Sequence, residues 1–255
     1  MFSHPELNDG KGVAVTVVAP FRNEARNLPW FIEHVPDWID EVIFVDGNST
    51  DGSVDVITTL MPRARVVHQP GRGKGNALVY GMVNATTDIV IAVDTDGSMD
   101  PGHSDAFIIE LLKGADLVKG SRYLPGGGSD DLTKLRDSGN KGLTIAANLI
   151  FRQKWSELCY GYFALWTKNL HALDVDTLIL KHGNDPTGLT YGSGFEIETL
   201  MFCRAVRNRM RVVEVPSFEA PRTHGQSSLR TFRDGIRVVW GIAVERLRPR
   251  HPSVR

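Results

Sequence analysis

Cysteine is scarce: Cys159 and Cys203 are the only two in 255 residues, too few for a disulfide framework and too far apart for a zinc site. A reducing compartment is expected. Long apolar runs are missing too. No stretch approaches the roughly 18–20 residues that span a bilayer, and the N-terminal MFSHPELNDGKG has no apolar signal segment. The expectation is a cytoplasmic protein, soluble or peripheral on the inner face of a membrane. The 25 Gly and 13 Pro lack collagen-like periodicity, and with 42% hydrophobic residues the chain can bury a substantial core, which excludes fibres and disorder. No linker, internal repeat or low-complexity tract divides it, so one domain over residues 1–255 is expected.

Lysine is absent from residues 204–255, which carry twelve Arg against Glu214, Glu219, Asp234 and Glu245, although the whole chain has a net charge of −1. Guanidinium groups grip phosphate oxygens bidentately, so this end is expected to meet phosphates or an anionic surface, the alternative being a solvated basic helix.

What is present in the first 120 residues is alternation. Val13–Ala19, Glu41–Asp46, Ala64–His68, Asp88–Val93 and Asp116–Lys119 are short and rich in Val and Ile, as strands buried on both faces should be. Helix-length segments near 27–37, 51–61, 74–85 and 103–113 separate them, some opened by capping-type residues such as Asn27 and Asp51. This predicts an α/β domain with a parallel, doubly wound sheet, whose ligands bind beyond the carboxyl ends of the strands. Later come a loop at Leu124–Asp131, a helix at 134–151, the Gly- and aromatic-rich CYGYFALW at 159–166, a helix at about 195–208, a strand at 211–218 and a last helix at about 228–247.

The strand-end segments carry the chemistry. Pro20-Phe-Arg-Asn-Glu24 lacks GxGxxG, which removes most support for a dinucleotide-binding domain. Asp46-Gly-Asn-Ser-Thr-Asp-Gly52 is an acidic turn, explained equally by ordinary turn chemistry. Gly71-Arg-Gly-Lys-Gly75 lacks P-loop spacing, but such a nest could sit near a phosphate or a base. In Asp94-Thr-Asp96-Gly-Ser-Met-Asp-Pro101, alternate side chains project together, and two adjacent carboxylates call for a cation between them. Mg2+ or Mn2+, completed by substrate phosphates, suits the pair Asp94 and Asp96.

With these segments in order, the chain resembles the family 2 glycosyltransferases of the GT-A fold, and among them the polyprenyl- or dolichol-phosphate mannose and glucose synthases. The matching segments are VVAPFRNEARNL at 17–28, EVIFVDGNSTDGS at 41–53, GRGKGNALVYG at 71–81, DTDGSMDP at 94–101, GSRY at 120–123 and EVPSFEAPRTHGQSSL at 214–229. The resemblance implies that Pro20, Arg22, Glu24 and Asp46 surround the nucleoside of a nucleotide-sugar, with Lys74 nearby, and that Asp94 and Asp96 hold the metal on its diphosphate. It implies that Arg122, Arg136 and Arg222 receive an acceptor phosphate. Residues 1–120 would then form the donor half and 121–255 the acceptor half. Two departures are Ser98, where some members have a glutamine, and Ser228, where the lipid-phosphate enzymes usually have a lysine.

The expected reaction is metal-dependent, inverting transfer of a hexose to a polyprenyl phosphate, with Asp96 in the catalytic centre. A phosphate acceptor is already ionised at pH 7 and needs only cations. A hydroxyl of a small molecule or glycan would need a base, for which Glu196 and Glu198 are candidates; two apart on a helix, they cannot share a face. Alternatives are a sugar nucleotidylyltransferase, which would want a Gly-rich loop after the first strand, and a non-catalytic nucleotide-sugar sensor. The last helix, with the apolar run Val238–Val244 between arginines, either packs on the domain or rests on an anionic membrane. His224 is a candidate for the acceptor cleft or an ordinary satisfied polar residue, and Trp155, Tyr160, Tyr162 and Trp166 are candidates for sugar stacking or for the core. A nucleic-acid partner is not expected, and a homo-oligomer is left open.

Overall fold

Short β-branched runs separated by helix-length segments fold into alternating strands and helices: β1 (Val15–Phe21), α1 (Leu28–His34), β2 (Glu41–Asp46), α2 (Ser53–Leu60), β3 (Arg65–His68), α3 (Lys74–Val83), β4 (Ile89–Ala92), α4 (Asp105–Leu112) and β5 (Leu117–Ser121). There follow β6 (Gly128–Ser129), α5 (Lys134–Phe151), β7 (Phe163–Trp166), α6 (Ile197–Arg207), β8 (Val212–Pro216), β9 (Phe218–Glu219) and α7 (Thr231–Leu247). The computed structural model describes residues 12–175, 191–225 and 231–248. Ser228 and the first residues expected for the last helix lie outside the described residues.

The main sheet has seven strands in the order β3-β2-β1-β4-β7-β5-β8. All neighbours pair parallel except β7, which runs antiparallel between β4 and β5. The sheet is thus mostly parallel, as expected, but the aromatic-rich segment FALW supplies an antiparallel strand in its middle. β3 departs from the expectation of a strand buried on both faces. It lies at the sheet edge with Arg65 and His68 exposed. A small parallel ribbon joins β6 and β9.

Period-two alternation divides each strand between two apolar layers. From β1, β2 and β4, Val17, Phe44 and Ile91 face one layer, closed by Phe31 of α1, Ile57 of α2 and Phe107 of α4. Val18, Ile43 and Val90 face the other, closed by Leu78 of α3, Met201 and Phe202 of α6, and Val238 and Ile242 of α7. The segment before and within β7 obeys the same rule. Tyr160, Tyr162 and Ala164 join the first layer, Phe163 and Leu165 the second. Trp155, Tyr160 and Tyr162 are buried core residues and Trp166 is half-buried, its indole donating to Ala115 O at 3.1 Å.

Two helix starts differ in detail from the capping expectation. Asn27 occupies the N-cap of α1 but makes no side-chain cap; its Nδ2 donates to Glu24 Oε2 at 2.5 Å and to His224 O at 3.2 Å. Gly52 holds the N-cap position of α2, while Asp51 accepts from Ser53 N at 3.1 Å. The apolar run Val238–Val244 is split by its helix, with Val238 and Ile242 inward and Val239 and Trp240 outward.

Phe44 is fully buried, its ring centroid 6.1 Å from that of Phe21 and 5.8 Å from that of Phe31. Phe44→Ala is expected to destabilise the protein by about 3–5 kcal/mol, read from the midpoint of urea unfolding.

Candidate active site

Strand register sets the level of the site. Parallel pairing places Phe21 of β1 beside Asp46 of β2, so the turns after these strands start together. The segment after β4 joins them, with Val93 N donating to Val18 O at 3.2 Å and Thr95 Oγ1 to Pro20 O at 3.4 Å. Asp46 is buried and fixed, accepting from Ser49 N at 2.9 Å and lying 3.0 Å from His68 Nδ1. Arg22 is exposed at the same edge, its Cβ packed close to Gly47. Glu24 is half-buried. Burial raises its carboxyl above the ordinary value, as do the charges of Asp96 and Asp94, against the opposing pull of Asn27 and Arg222. Pro20 and Asp46, at the ends of β1 and β2, and Arg22 and Glu24, just after β1, thus gather at the carboxyl edge of the sheet.

Beside this edge an open cavity is lined by Lys74, Asp94, Asp96 and Glu198, and by Arg122, Arg136 and Arg222. Lys74 Nζ lies 2.8 Å from Asp94 Oδ2 and 2.9 Å from Glu198 Oε1. Burial alone would lower the lysine pKa, but the two carboxylates outweigh it and raise the pKa above its ordinary value, so the ammonium stays charged. Asp96 accepts from Ser98 N at 3.0 Å and Ser98 Oγ at 2.6 Å, and its Oδ2 lies 2.6 Å from Arg222 Nη2. Backbone bonds from Ala220 N to Ser98 O and from Thr223 N to Asp96 O hold the arginine's segment against this turn.

Two glycines of GRGKG, Gly73 and Gly75, are required by close backbone packing. A Cβ on Gly75 would stand 2.0 Å from Gly192 O, and Gly75 N donates to Ser193 O at 2.8 Å. Close backbone contact between this loop and the turn before α6 delivers Lys74 to Glu198. Gly161 is a site residue that no motif of the sequence marks. A Cβ there would lie 2.9 Å from Lys74 Nζ and 3.1 Å from Glu198 Oε1, so only glycine leaves that pair undisturbed.

Of the two candidate bases, Glu198 lines the cavity and Glu196 does not. Glu196 is the N-cap residue of α6, and its Oε1 lies 2.5 Å from Arg237 Nη2 and accepts from Gly192 N at 3.0 Å. Burial raises the Glu198 carboxyl above its usual range, Lys74 opposing this and Asp94 adding to it.

The three arginines differ in how they are held. Arg122 is nearly buried between carboxylates: Nη1 lies 2.7 Å from Glu219 Oε2, Nε donates to Glu157 Oε1 at 2.8 Å, and its backbone N donates to Glu157 Oε2 at 2.7 Å. Asn140 Nδ2 completes the shell of Glu157 at 2.7 Å. Arg136 is looser, 3.8 Å from Asp131 Oδ2. Glu219 belongs to the motif segment 214–229, whereas Glu157 stands in no motif. It reaches the site because it precedes an antiparallel strand.

The donor set fits a divalent cation. Six carboxylates (Asp94, Asp96, Asp131, Glu198, Glu219, Asp234) line the cavity against four cations, an excess of two negative charges. Among the described residues no cluster of three or more potential ligands is preformed. A hard cation on Asp94 and Asp96 would therefore complete its shell from diphosphate and water, the usual habit of Mg2+.

A family model described as glycosyl transferase family 2 matches residues 16–172. An uncharacterized glycosyltransferase of Mycobacterium tuberculosis is 44% identical over 111 residues, 44% of this chain and 50% of that protein, so the chain spans about half the length of that relative. The undecaprenyl-phosphate mannosyltransferase of Micrococcus luteus is 29% identical over 242 residues, 90% of this chain and 94% of that one. The structure of M. tuberculosis glucosyl-3-phosphoglycerate synthase with Mn2+, UDP-glucose and glycerol 3-phosphate superposes with a TM-score of 0.69 at 21% identity, covering 98% of this chain and 86% of that one.

Glu157→Gln removes a fully buried negative charge from Arg122 while Glu219 remains. The expected loss is about 3 kcal/mol, measured by chemical denaturation.

Proposed function

The chain belongs to glycosyl transferase family 2, and on that premise we propose that it moves a hexose from a nucleotide diphosphate sugar, with Mg2+ or Mn2+, onto an acceptor that carries a phosphate. The observation that carries this is the convergence of strand-end carboxylates and arginines in one cavity. The donor half supplies Pro20, Arg22, Glu24 and Asp46 around the nucleoside, with Asp94, Asp96 and Lys74 at the diphosphate. The bound cation supplies the charge that stabilises the leaving diphosphate. That glucosyl-3-phosphoglycerate synthase was solved with Mn2+ and UDP-glucose supports the metal and the donor class.

The acceptor half supplies Arg136 and Arg222 to hold the phosphate, while Arg122, already neutralised by Glu157 and Glu219, fixes those carboxylates at the cavity wall. Transfer in one step from the opposite face inverts the anomeric centre. In the leading reading a hydroxyl of a small phosphorylated molecule attacks and Glu198 takes its proton. Glu198 supports this because it is the candidate base that reaches the cavity, and its raised pKa favours proton acceptance. In the second reading the phosphate of a polyprenyl phosphate is itself the nucleophile, needing cations and no base. Arg136 and Arg222 in the cavity and the likeness to the Micrococcus luteus enzyme over most of both chains favour it.

Asp96→Asn and chelation by EDTA are each expected to lower transfer by at least about 100-fold, with Mn2+ restoring the chelated enzyme but not the variant. Unchanged turnover in both arms defeats the metal-dependent reading. Glu198→Gln decides between the acceptors. With a hydroxyl acceptor, transfer falls by about 100-fold or more. The wild-type rate then falls with acidification through a midpoint above the ordinary glutamate value of 4.5, because the raised-pKa base is lost on protonation, and the variant lacks that limb. With a polyprenyl phosphate the variant keeps most of its rate.

A further inference from the structure

Eleven large hydrophobic side chains are exposed among the described residues, and eight of them lie on two helices. On α5 these are Leu135, Ile145, Leu149 and Ile150; on α7 they are Ile236, Val239, Trp240 and Leu247. Their spacing is helical. Leu135, Ile145 and Leu149 share one stripe, opposite the buried Asn140, Thr144 and Ala147. Ile236, Val239, Trp240 and Leu247 share another, opposite the buried Val238 and Ile242. A helix that packs one side against its own domain and turns an apolar side to water is unusual in a soluble protein.

Charge identifies the occupant. Every exposed charged side chain on the two helices is basic: Lys134 and Lys141 on α5, Arg233 and Arg246 on α7, with Arg152 at the C-cap of α5. The acids of these helices are half-buried or buried, Glu245 being tied to Arg204 and Asp137 to Lys141. Apolar stripes bordered by Lys134, Arg152, Arg233 and Arg246, with Lys141 paired to Asp137, match the acyl boundary and phosphate layer of an anionic membrane. A second copy of the chain would bring the same cations face to face, which disfavours a symmetric contact.

We propose that the outer sides of α5 and α7 form a docking surface for an anionic lipid bilayer. The surface is separate from the transfer chemistry, since none of its apolar residues lines the cavity. The same helices do wall that cavity on their other sides, through Arg136, Asn140 and Leu143 of α5 and Gly235 and Val238 of α7. Docking would therefore hold the acceptor half at the headgroup layer. It has no need of a spanning helix, and among the described residues no helix is long and apolar enough to cross a membrane.

The test is sedimentation of the full chain with vesicles of phosphatidylcholine alone and of phosphatidylcholine with phosphatidylglycerol in equal parts. The wild type is expected to bind the anionic vesicles at least about tenfold more tightly, with binding falling as salt rises. Ile145→Asp/Leu149→Asp should weaken binding by about tenfold or more, and Lys134→Glu/Arg246→Glu should do likewise with the apolar stripes intact. Unaltered thermal unfolding and unaltered hydrolysis of the donor sugar nucleotide identify both variants as folded. Failure of the wild type to sediment, equal binding of wild type and both variants, or a stable dimer dispersed by the same substitutions would each overturn the proposal. Loss of the transfer reading with vesicle binding intact leaves it standing.

Discussion

Like charges crowded at the end of β4 are the constraint around which the site is built. Asp94, Asp96 and Glu198 come from two elements far apart in sequence and share one cavity. Repulsion among them is offset by Lys74 between Asp94 and Glu198 and by Arg222 on Asp96. Those contacts also fasten the start of α3, the start of α6 and the segment after β9 to the carboxyl edge of the sheet. Cations so placed can remain beside the carboxylates or turn toward incoming phosphates, and in the proposed reading a divalent ion would share the neutralisation of Asp94 and Asp96.

Sheet topology decides which residues meet this cluster. At the carboxyl edge a parallel strand presents the residues after it, and an antiparallel strand in the same sheet presents the residues before it. The inserted β7 therefore brings Glu157, Tyr160 and Gly161 to the edge where the segments after β1, β2, β4 and β5 begin. Glu157 then fixes Arg122, and Gly161 makes room for Lys74 beside Glu198. All three precede a strand rather than follow one.

Much of the arginine charge in the last fifty or so residues is taken up within the domain. Arg204 is bound to Glu245, Arg237 to Glu196 and Arg248 to Asp174, so these cations tie α6 and α7 into the body of the domain. Arg222 is turned into the cavity, while Arg233 and Arg246 stay at the surface beside apolar side chains. The same residue type thus does three different kinds of work, separated only by burial and partners.

The sequence by itself determined the alternation of strands and helices, the strand ends as the place where charged side chains gather, the carboxylate pair at 94 and 96, and the family. These are local matters of hydrophobic period, turn residues and motif spacing, legible because each depends on neighbours within a few positions. Only the tertiary structure decided that β7 runs antiparallel, that Glu198 rather than Glu196 enters the cavity, and that Arg122 is already shared by two acids. Each of those depends on which distant segments are packed together, and no local pattern encodes a pairing such as Glu157 with Arg122 or Lys74 with Glu198, where the contact is made by the folded sheet.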